Sequence, residues 1–247
     1  MDPAVLRDDM VDTLMHPSNG VIRSEEVALA MRNVPRHVFV SDERAVHADR
    51  SHREEGTTVF APSTAARFFE ALQVNAGDSV LVVGVGVGYT AAVIAEIAGA
   101  SNVQAIDLSS RIVRIARNNL AKAGAGNVLV DQGNADTGLP EYSPFDRILI
   151  EAAAFEPPAA LLAQLGDGGR LVFPQGGQIQ ELVAYDRSTV VDEYGTIVID
   201  PLLARGEEPG AIERNRTVRE DREFAARNNT RRSGWEREWI DWEQQIR

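Results

Sequence analysis

Short apolar runs alternate with stretches of helical periodicity through the middle of the chain. Strand candidates fall at residues 79–83, 103–106, 128–130, 146–150, 170–173, 179–185 and 196–200, and helix candidates at 89–98, 109–123 and 157–165. Runs such as Val80-Leu81-Val82-Val83, without a polar break, are what strands buried on both faces require. The alternation predicts an α/β fold, a doubly wound and mostly parallel sheet. Gly99, Gly124 and Gly166 follow the three helices as expected C-terminal caps. The last two strand candidates have no helix between them, which predicts a hairpin and an antiparallel strand at the sheet edge.

The flanks read differently. Residues 1–75 are mostly helical in pattern: Ser24 is placed to cap a helix beginning Glu25-Glu26-Val27, and Pro35 ends it. Ser63 is expected to start a second helix over 64–72, whose Ala65, Phe68, Phe69 and Leu72 share one face. Between them, 41–61 is charged and reads as an irregular surface segment. Beyond residue 204, Trp235, Trp239, Trp242 and Ile246 lie on one helical stripe. This predicts a C-terminal helical extension that packs on its own domain, the alternatives being a homodimer contact or a lid; monomer and homodimer both stay open. The expected division is 1–75, 76–204 and 205–247.

Candidate chemistry concentrates where the first buried strand ends. Gly84, Gly86 and Gly88 alternate, and a helix opens directly after them. Bare glycine backbone at a helix N-terminus admits the polar atoms of a nucleoside-bearing cofactor. A dinucleotide site wants G-x-G-x-x-G, but Tyr89 stands where that third glycine would fall. G-x-G-x-G is instead the usual pattern of S-adenosylmethionine (SAM) methyltransferases. Asp107, at the end of the next strand and about 20 residues on, is suited to accept hydrogen bonds from ribose hydroxyls.

Composition narrows the chemistry further. The 247 residues include no cysteine, so disulfides, zinc–thiolate sites and thiol nucleophiles are excluded. The four histidines (His16, His37, His47, His52) form no metal-binding spacing, and no metal site is expected. The net charge is −12, and Lys122 is the only lysine. An acidic, arginine-dominated surface suggests a protein kept soluble in concentrated salt, as in a halophile, where screening removes the self-repulsion. Residues 1–204 hold 15 of the 25 basic and 27 of the 37 acidic side chains, and residues 205–247 hold 10 of each. Neither part offers the positive field that phosphate backbones need, so nucleic acid is not an expected partner. The N-terminus lacks a signal-like apolar core and no run reaches membrane-spanning length; a cytoplasmic protein without membrane contact is expected.

With these motifs placed, the chain resembles the protein L-isoaspartate O-methyltransferases over about residues 10–185. The family's V-P-R-x-x-F-V appears as Val34 to Val40 and its G-T-G-S-G-Y as Gly84 to Tyr89. Its A-A-A, then P, then L-x-x-Q-L-x-x-G-G-x-L-V-x-P appears as Ala152-Ala153-Ala154, Pro157-Pro158 and Leu161 to Pro174. The resemblance implies a Rossmann-like SAM-dependent enzyme that esterifies the free carboxylate of isoaspartyl residues in proteins or peptides. It places Gly84, Gly86 and Gly88 under the cofactor, Asp107 on its ribose, and Asn134 with Ala135 near its adenine. Gly133-Asn134-Ala135 replaces the family's G-D-G, with Asp136 a nearby alternative acceptor.

Three residues of this chain flank the implied methyl acceptor: Thr58, Phe60 and Glu151. Thr57 to Pro62 aligns with the family's Q-T-I-S-x-P, so Phe60 stands where a serine is usual. Glu151 ends the fourth strand, where glycine, serine or threonine is usual. An ionised Glu151 would repel a carboxylate substrate unless it took a proton or Arg53 intervened. These departures leave two alternatives to isoaspartyl methylation: a methyltransferase with a changed acceptor (a small molecule, a peptide or a nucleic-acid base), or a SAM-binding interaction module without catalysis.

Overall fold

A computed structural model describes residues 2–42 and 46–203; the Trp-bearing stretch predicted as a helical extension lies outside them. Nine strands and six α-helices follow one another in the described residues. Helices α1 (Pro3–Met15) and α2 (Glu25–Asn33) precede a small hairpin of β1 (His52–Glu54) and β2 (Thr57–Val59), and α3 (Pro62–Leu72) leads into the main sheet. There follow β3 (Val80–Val83), α4 (Tyr89–Ala98), β4 (Val103–Asp107), α5 (Ser110–Lys122), β5 (Leu129–Gln132) and β6 (Phe145–Ile150). The last elements are α6 (Ala159–Gln164), β7 (Leu165–Gly176), β8 (Gln180–Tyr185) and β9 (Val190–Ile197).

The seven-stranded sheet runs in the order β5-β4-β3-β6-β7-β8-β9. It is parallel from β5 to β7, after which β8 is antiparallel to both neighbours. The strand order reverses between β3 and β6, and such a switch point leaves a crevice at the carboxyl ends of the strands. Alternation along β3 is fully used: Val80 and Val82 join the core that holds α2, α3 and α4, whereas Leu81 and Val83 pack with Ile148, Leu161 and Phe173 on the other face.

Ser24 caps α2 through a 3.2 Å bond from the Val27 N–H, as expected. Other local expectations need correction. Residues 41–61 are not wholly irregular, because 52–59 form the hairpin, with Val59 3% exposed. Strands of three residues are too short to reveal their period in sequence. Helix α3 starts two residues early, with Pro62 in its first turn; Asp49, not Ser63, accepts an N–H there, from Ser63 itself at 2.9 Å. Gly166 lies inside β7 rather than capping a helix, since α6 ends at Gln164. The final strand occupies Val190–Ile197 instead of 196–200, where its ladder with β8 forms. The expected hairpin is there, but a second one joins β7 to β8.

Candidate active site

The glycine loop is built to lie flat against its neighbours. Gly84, Gly86 and Gly88 all have positive φ (85°, 52° and 98°), a region that side-chain-bearing residues seldom enter. A Cβ on Gly86 would fall 3.2 Å from Thr57 Oγ1, and one on Gly88 3.2 Å from Leu120 Cγ. The loop is pinned to β4 by N–H bonds from Gly84 and Val85 to the Ile106 carbonyl (2.8 and 3.1 Å) and to α5 by Asn119 Nδ2 on the Val87 carbonyl (3.1 Å). Its backbone is therefore fixed before any ligand arrives.

Around this loop the strand order sets four positions side by side. From β5 across to β6 these are Gly133–Ala135, Asp107, Gly84 and Glu151, each at or just beyond the carboxyl end of its strand. Asp107 Oδ1 accepts from the Ser109 N–H (3.0 Å) and Oδ2 from the Gly86 N–H (3.3 Å). Burial raises its pKa, and the backbone N–H groups of Ser109, Gly86 and Leu108 oppose that shift. Asn134 Oδ1 is occupied by the N–H and hydroxyl of Thr137, both at 3.0 Å. Its side-chain carbonyl is spent on a local turn, which leaves Asn134 Nδ2 and the exposed Asp136 as polar side-chain groups beside it. Ala135 is buried at 4% exposure.

Glu151 is the most perturbed group in the site. Its Cβ lies 3.8 Å from where a Cβ on Gly84 would be, so it abuts the first glycine of the loop. The Thr90 hydroxyl of α4 hydrogen-bonds its carboxyl, but Oε1 is cut off from solvent and has no partner among the described residues. Burial, with a smaller contribution from the Asp107 charge, pushes its pKa up to about 8. The group is thus predominantly neutral at pH 7.

The β1–β2 hairpin covers this arrangement. Its tip, Glu55-Gly56, turns with both residues at positive φ, and Arg111 of α5 grips it through the Glu55 carbonyl (2.9 Å) and an ion pair with the Glu55 carboxylate. On its flank Thr58 Oγ1 donates to Asp200 Oδ2 (3.2 Å), which also faces Arg53 Nη1 at 3.4 Å. Asp200 is held beside the end of β6, its carbonyl accepting the Ala153 N–H at 2.9 Å. Phe60 packs its ring on Phe68, centroids 5.4 Å apart, and is 7% exposed, the setting of a side chain that fills core volume.

Thr57 thus approaches the glycine loop at Gly86, Glu151 abuts it at Gly84, and Thr58 pairs with Asp200, while Phe60 is packed into the core against Phe68. Thr90, Arg111 and Asp200 were not among the residues singled out from the sequence. Asp200 lies about 140 residues from the hairpin it contacts, and only the fold joins them.

Comparisons with known proteins bear on this geometry directly. Residues 7–200 match the model of the family described as Protein-L-isoaspartate(D-aspartate) O-methyltransferase (PCMT). A protein-L-isoaspartate O-methyltransferase of Halorhodospira halophila is 41% identical over 186 residues, covering 73% of this chain and 82% of its own. That of Methanoculleus marisnigri is 39% identical over 181 residues, 72% of this chain and 80% of its own. The chain belongs to the PCMT family.

Solved structures agree in fold. One protein-L-isoaspartate O-methyltransferase superposes with a TM-score of 0.70 at 27% identity, over 86% of this chain and 70% of its own. A Plasmodium falciparum chain assigned to PCMT, in complex with S-adenosyl-L-homocysteine, gives a TM-score of 0.71 at 20% identity, over 81% of this chain and 99% of its own. Membership makes this chain a SAM-dependent O-methyltransferase of the isoaspartyl class. Among the described residues no helix is long and apolar enough to cross a membrane, and no cluster of metal-ligating side chains occurs.

Proposed function

We propose that SAM lies across the carboxyl ends of β5, β4, β3 and β6, and that the carboxylate of an isoaspartyl residue in a peptide or protein enters beneath the hairpin to meet it. The observation that supports this reading is the strand order, which sets Gly133–Ala135, Asp107, the bare backbone of Gly84–Gly88 and Glu151 in one line at the carboxyl ends of the strands. The residues present fit the cofactor: Gly84, Gly86 and Gly88 present backbone without side chains at positive φ, and the Asp107 carboxyl is oriented by the Ser109 and Gly86 N–H groups.

Each residue then has a role. Asp107 accepts from the ribose hydroxyls. Asp136 accepts from the adenine amino group beside Ala135, and Asn134 Nδ2 donates to a ring nitrogen. SAM supplies the methyl group on a sulfonium that departs as a neutral thioether. An isoaspartyl carboxylate is already ionised at neutral pH, so its attack needs alignment more than proton transfer. Thr58 donates to that carboxylate, exchanging its Asp200 partner for the substrate. Phe60 fixes the segment from the core side and leaves the backbone around Thr58 and Val59 to line the crevice. Glu151, neutral at the outset, does not repel the incoming charge.

The test is transfer of labelled methyl from SAM to an isoaspartyl peptide and to its aspartyl twin, in concentrated KCl. Base-labile label on the isoaspartyl peptide alone is expected. Label on a non-carboxylate acceptor, or on neither peptide while SAM still binds, would overturn the acceptor assignment.

A further inference from the structure

Glu151 is more than a tolerated neighbour of the acceptor. Among the described residues its Oε1 is sealed from solvent without a hydrogen-bond partner, and no cation is among the groups that act on its carboxyl. Thr90 on α4 offers a neutral hydroxyl, and Asp107 on β4 adds a like charge. From the hairpin and the segment after β9, Arg53 and Asp200 face each other. A buried acid left this way is costly to ionise and incompletely satisfied when neutral, unless a ligand completes it.

The order of positions along the crevice says which ligand group arrives there. If adenine is at β5 and ribose at β4, the cofactor's aminoacyl end extends past β3 to β6, where Glu151 abuts Gly84. That end carries an α-ammonium. We propose that Glu151 is the receptor for the cofactor's α-ammonium and that it gives up its proton to solvent when the cofactor binds. The balance is simple: a neutral carboxyl and an ammonium become a carboxylate–ammonium pair plus one proton taken by buffer. The pair is neutral overall, so the acceptor carboxylate still meets no net negative charge at β6. This deepens the proposed function and rests on the cofactor orientation given there.

The experiment is titration calorimetry of S-adenosylhomocysteine into the full chain at pH 7, in buffers of different ionisation enthalpy, in concentrated KCl. S-adenosylhomocysteine keeps the ammonium and lacks the sulfonium. Release of close to one proton per ligand is expected for the unaltered chain. 5′-Methylthioadenosine, with the same ribose and adenine but no ammonium, is expected to bind without release, which separates Glu151 from Asp107. Glu151→Gln is expected to abolish the release and weaken S-adenosylhomocysteine at least tenfold, with little change for 5′-methylthioadenosine. No proton exchange with S-adenosylhomocysteine, equal release with 5′-methylthioadenosine, or undiminished release in Glu151→Gln would each overturn the inference. Failure of S-adenosylhomocysteine to bind at all would instead sink the cofactor reading beneath it.

Discussion

Arg36 and the Oε1 of Glu151 are both withdrawn from water, but Arg36 is fastened to two backbone carbonyls and a ring, whereas Glu151 meets one hydroxyl and abuts the glycine loop. Arg36 is 0% exposed; its Nε donates to the Val46 carbonyl (2.9 Å), its Nη2 to the Phe60 carbonyl (2.5 Å), and its guanidinium lies 4.5 Å from the Tyr89 ring centroid, while its Nη1 has no hydrogen-bond partner among the described residues. Those bonds tie the turn after α2 to the two ends of the segment that carries the hairpin. Glu151 has one hydroxyl and an unpartnered oxygen. Burial alone therefore says little about role. A charge that binds two fixed carbonyls from distant segments is holding those segments together, whereas an acid with an open oxygen beside a glycine loop is placed for something that comes and goes.

The comparison can be broken most severely at Arg36. Arg36→Met removes two charge-assisted bonds and leaves the Val46 and Phe60 carbonyls unmet, so a loss of about 3–5 kcal/mol in denaturant-measured stability is expected. Methyl transfer should fall with it, since the hairpin loses its anchor. A loss below 1 kcal/mol would mean the anchor lies elsewhere.

Glu151→Gln should act in the opposite direction on stability. The folded pKa, about 8, stands above the ordinary carboxylate value of 4.5, so the folded form holds a proton that the unfolded chain releases. Stability from this group is fully present below about pH 4.5 and drains away as pH rises to about 8. Glutamine does not titrate, so the ligand-free variant should be more stable than the unaltered chain by a few kcal/mol at pH 9, with the gap closing towards pH 5. Thermal melts at the two pH values check this, and a gap independent of pH would contradict it.

Smaller effects sharpen the site itself. Gly86→Ala puts a methyl against Thr57 Oγ1 at φ 52°, and about 1–2 kcal/mol of stability should go, with S-adenosylhomocysteine affinity about tenfold lower. Asp200→Asn removes a charge from an ion pair whose partners are 61% and 47% exposed. It should cost under about 1 kcal/mol, and the measurable change should be in KM for the isoaspartyl peptide.

How much of this was legible in the sequence follows from range. The β3–glycine–α4 unit was readable because strand, loop and helix cues lie within 20 residues, and Asp107 because the next strand places it in fixed register. The parallel sheet and its antiparallel edge also followed from local alternation. Short or irregular pieces did not: the three-residue strands of the hairpin carry too few positions to show a period. Asn134 was expected near the adenine, but the Thr137 turn that engages its side-chain carbonyl depends on backbone geometry. Asp200 and Thr58 meet only through the fold, and the missing partner of Glu151 is a property of packing that no motif encodes.

The claim on which the rest depends is that Glu151 keeps its proton because burial is offset by a single hydroxyl among the described residues. Carbon-13 NMR of the glutamate side-chain carboxyls, with Glu151→Gln assigning the resonance, measures this directly. A titration midpoint near pH 8 in the ligand-free protein, moving well below 7 with S-adenosylhomocysteine bound, is the predicted result. A Glu151 already ionised at pH 7 without ligand would contradict the account.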